Sequence, residues 1–524
     1  MVHIIALSLV LAACGKSEQT TDQTEIVYGL TLTPSGIDPH INASAELGIP
    51  LRSVYDTLVY RDAETKDFFP GLAESWEVSP DGLTYSFTLK SGVKFHDGTL
   101  FNADAVRTNI QRIIGPAINS QKATQLLGPV SDVKVIDDTH VAILLSEPYA
   151  PLLDGLSQPY LGIASPKALS NYDAATYQFH QVGTGPYRFV EYVVNDRLVL
   201  ERNPEYRWGP PVVTNTGMPA VNRIVFRFYE DPPSRALALE SGDAQIMGEI
   251  LPTDAKRLAT DGKIQLVPEH IPGMPLQFFF NTASSPTTNL AVRQALIIAT
   301  DRQSIVQAVF QGYSPVAQGP LTSATLYYNA QVEGRYTYDP VQAAALFNST
   351  GWIDSDGDGW RDEKGTRLEI HMVVPPWGMT PDVATLLKQQ WESNLHIKVN
   401  IIQVASFPML IDEASKGNYQ VLALNAFGLD PSVLNSFYMQ NGRNNWSHVA
   451  DSELGLKLSE AQKEMDPARR AALYAEIQTK IMDEALVLPL REYTNLNGVQ
   501  PAIQGLHFDA QGWFPYLTDI GLGY

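Results

Sequence analysis

Segments of strand character and segments of helix character alternate along almost the whole chain, and that interleaving limits the possible folds more than any other feature. Stretches 26–33, 85–90, 133–145, 223–229, 275–280, 368–374, 398–404 and 419–424 are rich in β-branched and aromatic residues, as half-buried strands require. Tyr85, Phe87 and Leu89 alternate and so share one sheet face. Asp137-Asp138 predicts a hairpin turn between two alternating arms. Helix signals lie between these strands. Asn102 can cap a helix that Gly115 ends, and Asp301 can cap the second of two consecutive helices over 290–299 and 304–310. Asp339-Pro340 and Asp466-Pro467 each set an N-cap before a proline at the first helical position, and Leu473, Ile477 and Ile481 form one stripe of the second of these helices. The pattern predicts a mixed α/β chain, and 524 residues exceed what one core accommodates, so several lobes follow.

Composition narrows the function. Lys plus Arg number 37 against 57 for Asp plus Glu, a net charge of −20. Nucleic-acid binding needs a basic surface and is excluded, as is a folded body lying on anionic lipid. Apolar residues at 44% and charged residues at 18% describe an ordered protein. No apolar run is long enough for a membrane-spanning helix.

The one greasy run is IIALSLVLAA, 4–13, and it stops at Cys14, the only cysteine, before a polar stretch over 15–25. A short apolar segment ending in small residues reads as a secretory leader. Leu11-Ala12-Ala13-Cys14 resembles the lipobox of bacterial lipoproteins, which implies cleavage before Cys14, lipidation of its thiol and a linker to residue 25. A cysteine incidentally buried in a core is the alternative, but no core can form between a greasy leader and a Ser/Thr/Gln linker. Only Met1, Val2 and His3 precede the run, so the basic start of such leaders is missing and the position of the start codon is open. With no second cysteine the body has no intramolecular disulfide and depends on core packing.

Several short signatures stand in order: Gly36-Ile37-Asp38-Pro39-His40, Tyr55-Asp56-Thr57-Leu58-Val59, PGLAESWEVSPDGLTYSFTLKSGVKFHDGTLFNADAV over 70–106, Gly183-Thr184-Gly185-Pro186-Tyr187, Arg202-Asn203-Pro204-Glu205-Tyr206, Val292-Arg293-Gln294-Ala295-Leu296 with Asp301-Arg302, and Tyr338-Asp339-Pro340 with Gly351-Trp352. From about residue 25 to the C-terminus the chain thus resembles the family 5 solute-binding proteins of ABC importers, which include dipeptide, oligopeptide and nickel receptors. Most of these residues read as scaffold, Trp76 as a core plug and Gly183 and Gly185 as a tight crossing near a hinge.

The resemblance implies a type II periplasmic-binding-protein-like clamp, two lobes with an additional domain. The first lobe would combine 26–60, 187–275 and 490–524, the additional domain would be 61–186, and the second lobe 276–489. It implies a monomeric extracytoplasmic receptor that binds a peptide or peptide-sized solute between closing lobes and delivers it to permease and ATPase subunits, touching the membrane only through its lipid, without a cofactor. A non-peptide ligand on the same fold (a metal chelate, haem, an opine or an oligosaccharide) is the alternative, and a surface serine hydrolase a third reading.

Ligand contacts are expected at strand ends and lobe crossings: Leu32 and Thr33, Phe280 and Asn281, Trp377, Asn425, Phe427, Asp430, Trp446, Glu492 and Tyr493, with Arg491 beside them. In oligopeptide receptors of this family an aspartate three residues before the acidic residue of an acidic-Pro pair meets the peptide α-ammonium. Here Asp430-Pro431 places Phe427 at that position, and Val421 where some members carry an arginine for the ligand carboxylate. Both charged handles are missing, so the ligand lacks a fixed ammonium there or is held by other groups, with Asp430 the nearest substitute. Backbone hydrogen bonds to an extended ligand would need neither handle.

Two motifs suggest other chemistry. Asp354, Asp356 and Asp358 with Gly359 match the opening of an EF-hand loop, but the twelfth position is Gly365, where calcium needs a bidentate Glu, so an acidic turn is the better reading. Ser91-Gly92-Val93-Lys94 and Ser131-Asp132-Val133-Lys134 match S-x-x-K yet lie in strand-like sequence, whereas that nucleophile needs a helix start. The ten histidines include no i,i+4 pair.

Overall fold

The computed structural model describes residues 24–34 and 36–523. Cys14, the leader and most of the expected linker lie outside the described residues.

Three sheets carry the chain. The first has seven strands in the order Gln265–His270, Thr494–Val499, Ile246–Met247, Glu25–Leu30, Arg223–Phe228, Arg197–Arg202 and Tyr187–Val193. Glu25–Leu30 runs parallel to both its neighbours, and the other pairings are antiparallel. The second has five, in the order Lys398–Gln403, Glu369–Val374, Val421–Phe427, Gly273–Phe280 and Val487–Arg491. The third is an antiparallel four-stranded sheet of Ala73–Val78, Thr84–Leu89, His140–Leu145 and Val130–Asp137.

Local chemistry explains these elements. Tyr85, Phe87 and Leu89 are buried on one face while Ser86 and Thr88 are half-exposed. The hairpin turn falls on Asp138-Thr139, where the Thr139 N–H donates to Asp137 Oδ1 at 2.8 Å. Asn102, Asp301, Asp339 and Asp466 each cap their helix by accepting a backbone N–H at the third helical position. Ile477 and Ile481 are buried in the second lobe's core and Leu473 packs against it.

The chain passes between the first and second sheets twice. One crossing runs from His270 to Gly273 and the other from Arg491 to Thr494, and they are bonded to each other by the Ile271 N–H donating to the Tyr493 carbonyl at 2.9 Å. Gly273 has φ 126°, and a Cβ there would lie 2.3 Å from the Ala426 carbonyl, so a side chain is excluded at this crossing. Gly183 and Gly185, expected near the hinge, instead press on the helix Ala45–Val54, where a Cβ would come within 2.0 Å of the Val54 carbonyl and 2.4 Å of the Ser53 carbonyl. That helix packs beneath the first sheet, and His96 beside the third sheet donates its N–H to the Gly183 carbonyl. The glycines therefore join first and third sheets, not first and second.

The second-sheet unit closes against the rest along two edges. The Leu429 N–H donates to Gln511 Oε1 at 3.0 Å. On the outer edge Lys463 Nζ lies 2.7 Å from Glu147, and the Ala150 N–H donates to the Gln462 carbonyl at 3.0 Å.

Candidate ligand-binding site

The crossings form the floor of the space between the two large sheets, and three groups of side chains converge on it. The first begins where Glu25–Leu30 ends. Thr31 is buried, its N–H donates to Glu46 Oε2 at 2.8 Å, and its hydroxyl lies 3.0 Å from Glu46 Oε1 and 2.8 Å from Glu249 Oε2. A hydroxyl carries one proton, so Thr31 can donate to one carboxylate and must accept from the other. Burial, and then the charge of Glu249, push the Glu46 carboxyl up to about 7. Glu249 sits in the left-handed region at φ 49° and takes a short hydrogen bond from the Tyr493 hydroxyl, and its N–H donates to Asn495 Oδ1 at 2.9 Å. Leu32 follows with its side chain exposed at the rim, and the Thr33 N–H donates to Glu230 Oε1 at 3.2 Å.

The second group is aromatic and bridges the sheets. Phe427, half-buried at the end of Val421–Phe427, places its ring 5.1 Å from both Tyr493 and Trp513, which are themselves 5.8 Å apart. These rings belong to the first sheet's core, so Phe427 enters the core of the opposite unit. Asn425, two positions earlier, shares its sheet face. Trp513 Nε1 and Gln511 Nε2 are buried without a hydrogen-bond partner.

The third group is the crossing itself. Arg491 lies 4.0 Å over the Phe310 ring and 4.3 Å over the Tyr493 ring. Glu492 is buried and accepts from the Ser323 N–H at 2.9 Å and the Ser323 hydroxyl at 2.7 Å, so its carboxylate is committed within the protein.

Other candidates stand elsewhere. Phe280 is fully buried in the second unit's core, and Asn281 donates through Nδ2 to the Tyr419 carbonyl at 2.9 Å. Trp446 packs in the separate core on the other face of the second sheet, against Phe279 and Phe437. Trp377 stands partly exposed beside Phe407. Asp430 is buried in a two-pronged ion pair with Arg470, at 2.6 and 2.9 Å, and caps the short helix that follows by accepting from Ser432. It is held as a turn-forming structural carboxylate. In the acidic turn the oxygens of Asp354, Asp356 and Asp362 approach one another, whereas Asp358 pairs with Arg367. Asp354 already accepts the N–H groups of Gly357 and Gly359, and Asp362 those of Ser355 and Gly365.

Glu46, Glu249, Trp513 and Gln511 carried no sequence signal, since none lies in a motif and their partners are distant in the chain. Phe427, Asn425, Leu32, Thr33 and the crossing residues Arg491, Glu492 and Tyr493 were reachable from sequence.

The comparisons with known proteins agree with this geometry. The model of the bacterial extracellular solute-binding proteins, family 5, matches residues 67–448. The chain is 28% identical to the Heme-binding protein A of Haemophilus influenzae, over 96% of this chain and 95% of that one. It is 27% identical to the Dipeptide-binding protein of Escherichia coli, over 97% and 96%. The crystal structure of NikA from Brucella suis in complex with Fe(III)-EDTA superposes with a TM-score of 0.86 at 24% identity, covering 95% of this chain and all of that one, which shows the type II clamp fold. The chain belongs to the family 5 bacterial extracellular solute-binding proteins, the receptors of ABC importers.

Proposed function

We propose that this receptor closes the unit built on the second sheet over a peptide-sized solute, against the units built on the first and third sheets, and hands it unchanged to an ABC permease. We take the expected lobe limits, 26–60 with 187–275 and 490–524, 61–186, and 276–489, as the working division. The carrying observation is Phe427, which leaves its own sheet to pack on Tyr493 and Trp513 of the opposite unit beside the paired crossings. Two strands hydrogen-bonded to each other where they cross make a hinge, and an aromatic contact across the gap makes a latch. Tethering through a lipidated Cys14 would keep a monomeric receptor near its permease without a helix of its own in the membrane.

The same observation favours a second reading of the ligand. Phe427 supplies no anion for a peptide α-ammonium, so a non-peptide solute, such as a metal chelate or haem of the kinds named for related receptors, fits the latch equally. Native mass spectrometry of the purified chain separates the two. A family of peptide masses bound at one per chain supports the first reading, and one non-peptidic mass supports the second. Turnover of an added labelled peptide would sink both and return the hydrolase.

A further inference from the structure

Six arginines are buried among the described residues, and five of them hold a carboxylate or several hydrogen bonds, although Nε and Nη1 of Arg52 find no partner. Arg52 and Arg470 hold carboxylates, Asp509 and Asp430. Arg235, Arg293 and Arg361 are fixed by several hydrogen bonds each, chiefly to backbone carbonyls. Arg491 differs. It is 4% exposed, makes one hydrogen bond, from Nη1 to the Ser314 hydroxyl at 3.1 Å, and joins no ion pair among the described residues. Its Nε is buried without a hydrogen-bond partner. The Phe310 and Tyr493 rings both pack on the guanidinium, 4.0 and 4.3 Å from its central carbon.

A buried cation with unused donors is costly unless a counter-charge arrives. The nearby Glu249 acts on it through space but makes no ion pair with it, its carboxylate oxygens bonding to Thr31 and Tyr493. The position is also informative, since Tyr493 lies between Arg491 and the Phe427–Trp513 latch. We infer that Arg491 is the seat of an oxyanion of the transported solute, a carboxylate or phosphate gripped by the guanidinium edge at the hinge end of the cleft. A planar fork packed on two rings suits two-pronged oxyanion binding and spends little conformational freedom on it. The inference rests on the receptor reading, and replaces the missing handle at Val421 with one across the neighbouring strand Gly273–Phe280.

The test uses the purified chain and its Arg491→Met and Arg491→Lys variants, melted in acetate, phosphate or chloride at matched ionic strength, with acetamide as the neutral control. Acetate or phosphate should raise the wild-type Tm by about 1–2 °C over chloride, and acetamide should not. Arg491→Met should lose that shift and, in chloride, melt no lower than wild type, because a buried charge lacking a counter-ion has been removed. Arg491→Lys, which keeps charge without the fork, should show a smaller shift. No anion response in the wild type, an undiminished response in Arg491→Met, or a lower chloride Tm for that variant overturns the assignment. A bound solute found by native mass spectrometry to lack any acidic group overturns it too while leaving the receptor standing. Absence of any bound solute in all three proteins counts against the receptor reading itself.

Discussion

The N–H of Leu429 donates to Oε1 of Gln511 at 3.0 Å, tying the loop that leaves the second sheet to the C-terminal segment packed on the first. With Phe427 two residues earlier, this bond is a contact that a closing clamp would make. Ligand binding then draws on contacts made only when the units meet, and their loss appears as lost affinity rather than lost folding.

Phe427→Ala removes two ring contacts across the closure, each worth about 1 kcal/mol. Affinity for the solute identified by mass spectrometry should fall about tenfold or more by calorimetry, with little change in the ligand-free Tm. Unchanged affinity would remove Phe427 from the closure.

Glu46 sets a pH dependence. Its folded carboxyl is raised from 4.5 to about 7, so between those values the folded chain holds a proton that the unfolded chain has released. Stability contributed by this group is therefore present at low pH and lost as pH rises from about 4.5 to about 7, by roughly 3 kcal/mol at most. Glu46→Gln should flatten that part of the stability profile measured by denaturant unfolding. A profile parallel to wild type would contradict the raised carboxyl.

Asp430→Ala leaves Arg470 buried without its carboxylate, and should cost about 3–5 kcal/mol in denaturant unfolding. A ligand-contact role would instead spare stability and reduce affinity.

The acidic turn should be indifferent to calcium. Asp354 and Asp362 already accept backbone N–H groups, Asp358 holds Arg367, and Gly365 offers no carboxylate to complete the shell. Calcium addition and chelation should leave the Tm unchanged, and a rise on addition would show a site.

What was legible in the sequence was what neighbours decide. Asp466 caps Pro467–Asp483 through the Arg469 N–H, and Tyr85, Phe87 and Leu89 face one core because strands alternate. The hinge was misplaced because Gly183 and Gly185 signal close approach without saying to what, and the partner proved to be the helix Ala45–Val54. The site was legible only at Phe427 and the 491–493 crossing. Glu46, Glu249 and Trp513 join it through tertiary contacts, which leave no periodicity or motif behind. The partner of Asp430 was hidden for the same reason, since Arg470 lies on a separate helix.

The central claim is that the second-sheet unit closes over a solute, and an interlobe distance tests it directly. Spin labels at exposed Ile136 on the third sheet and Leu456 on the second unit, introduced as cysteines with Cys14 replaced by serine, report that distance by pulsed dipolar spectroscopy. The account predicts one short distance for the chain carrying its native solute, a longer second population once the solute is stripped, and return to the short distance when it is restored. One unchanging distance in all three states would contradict it.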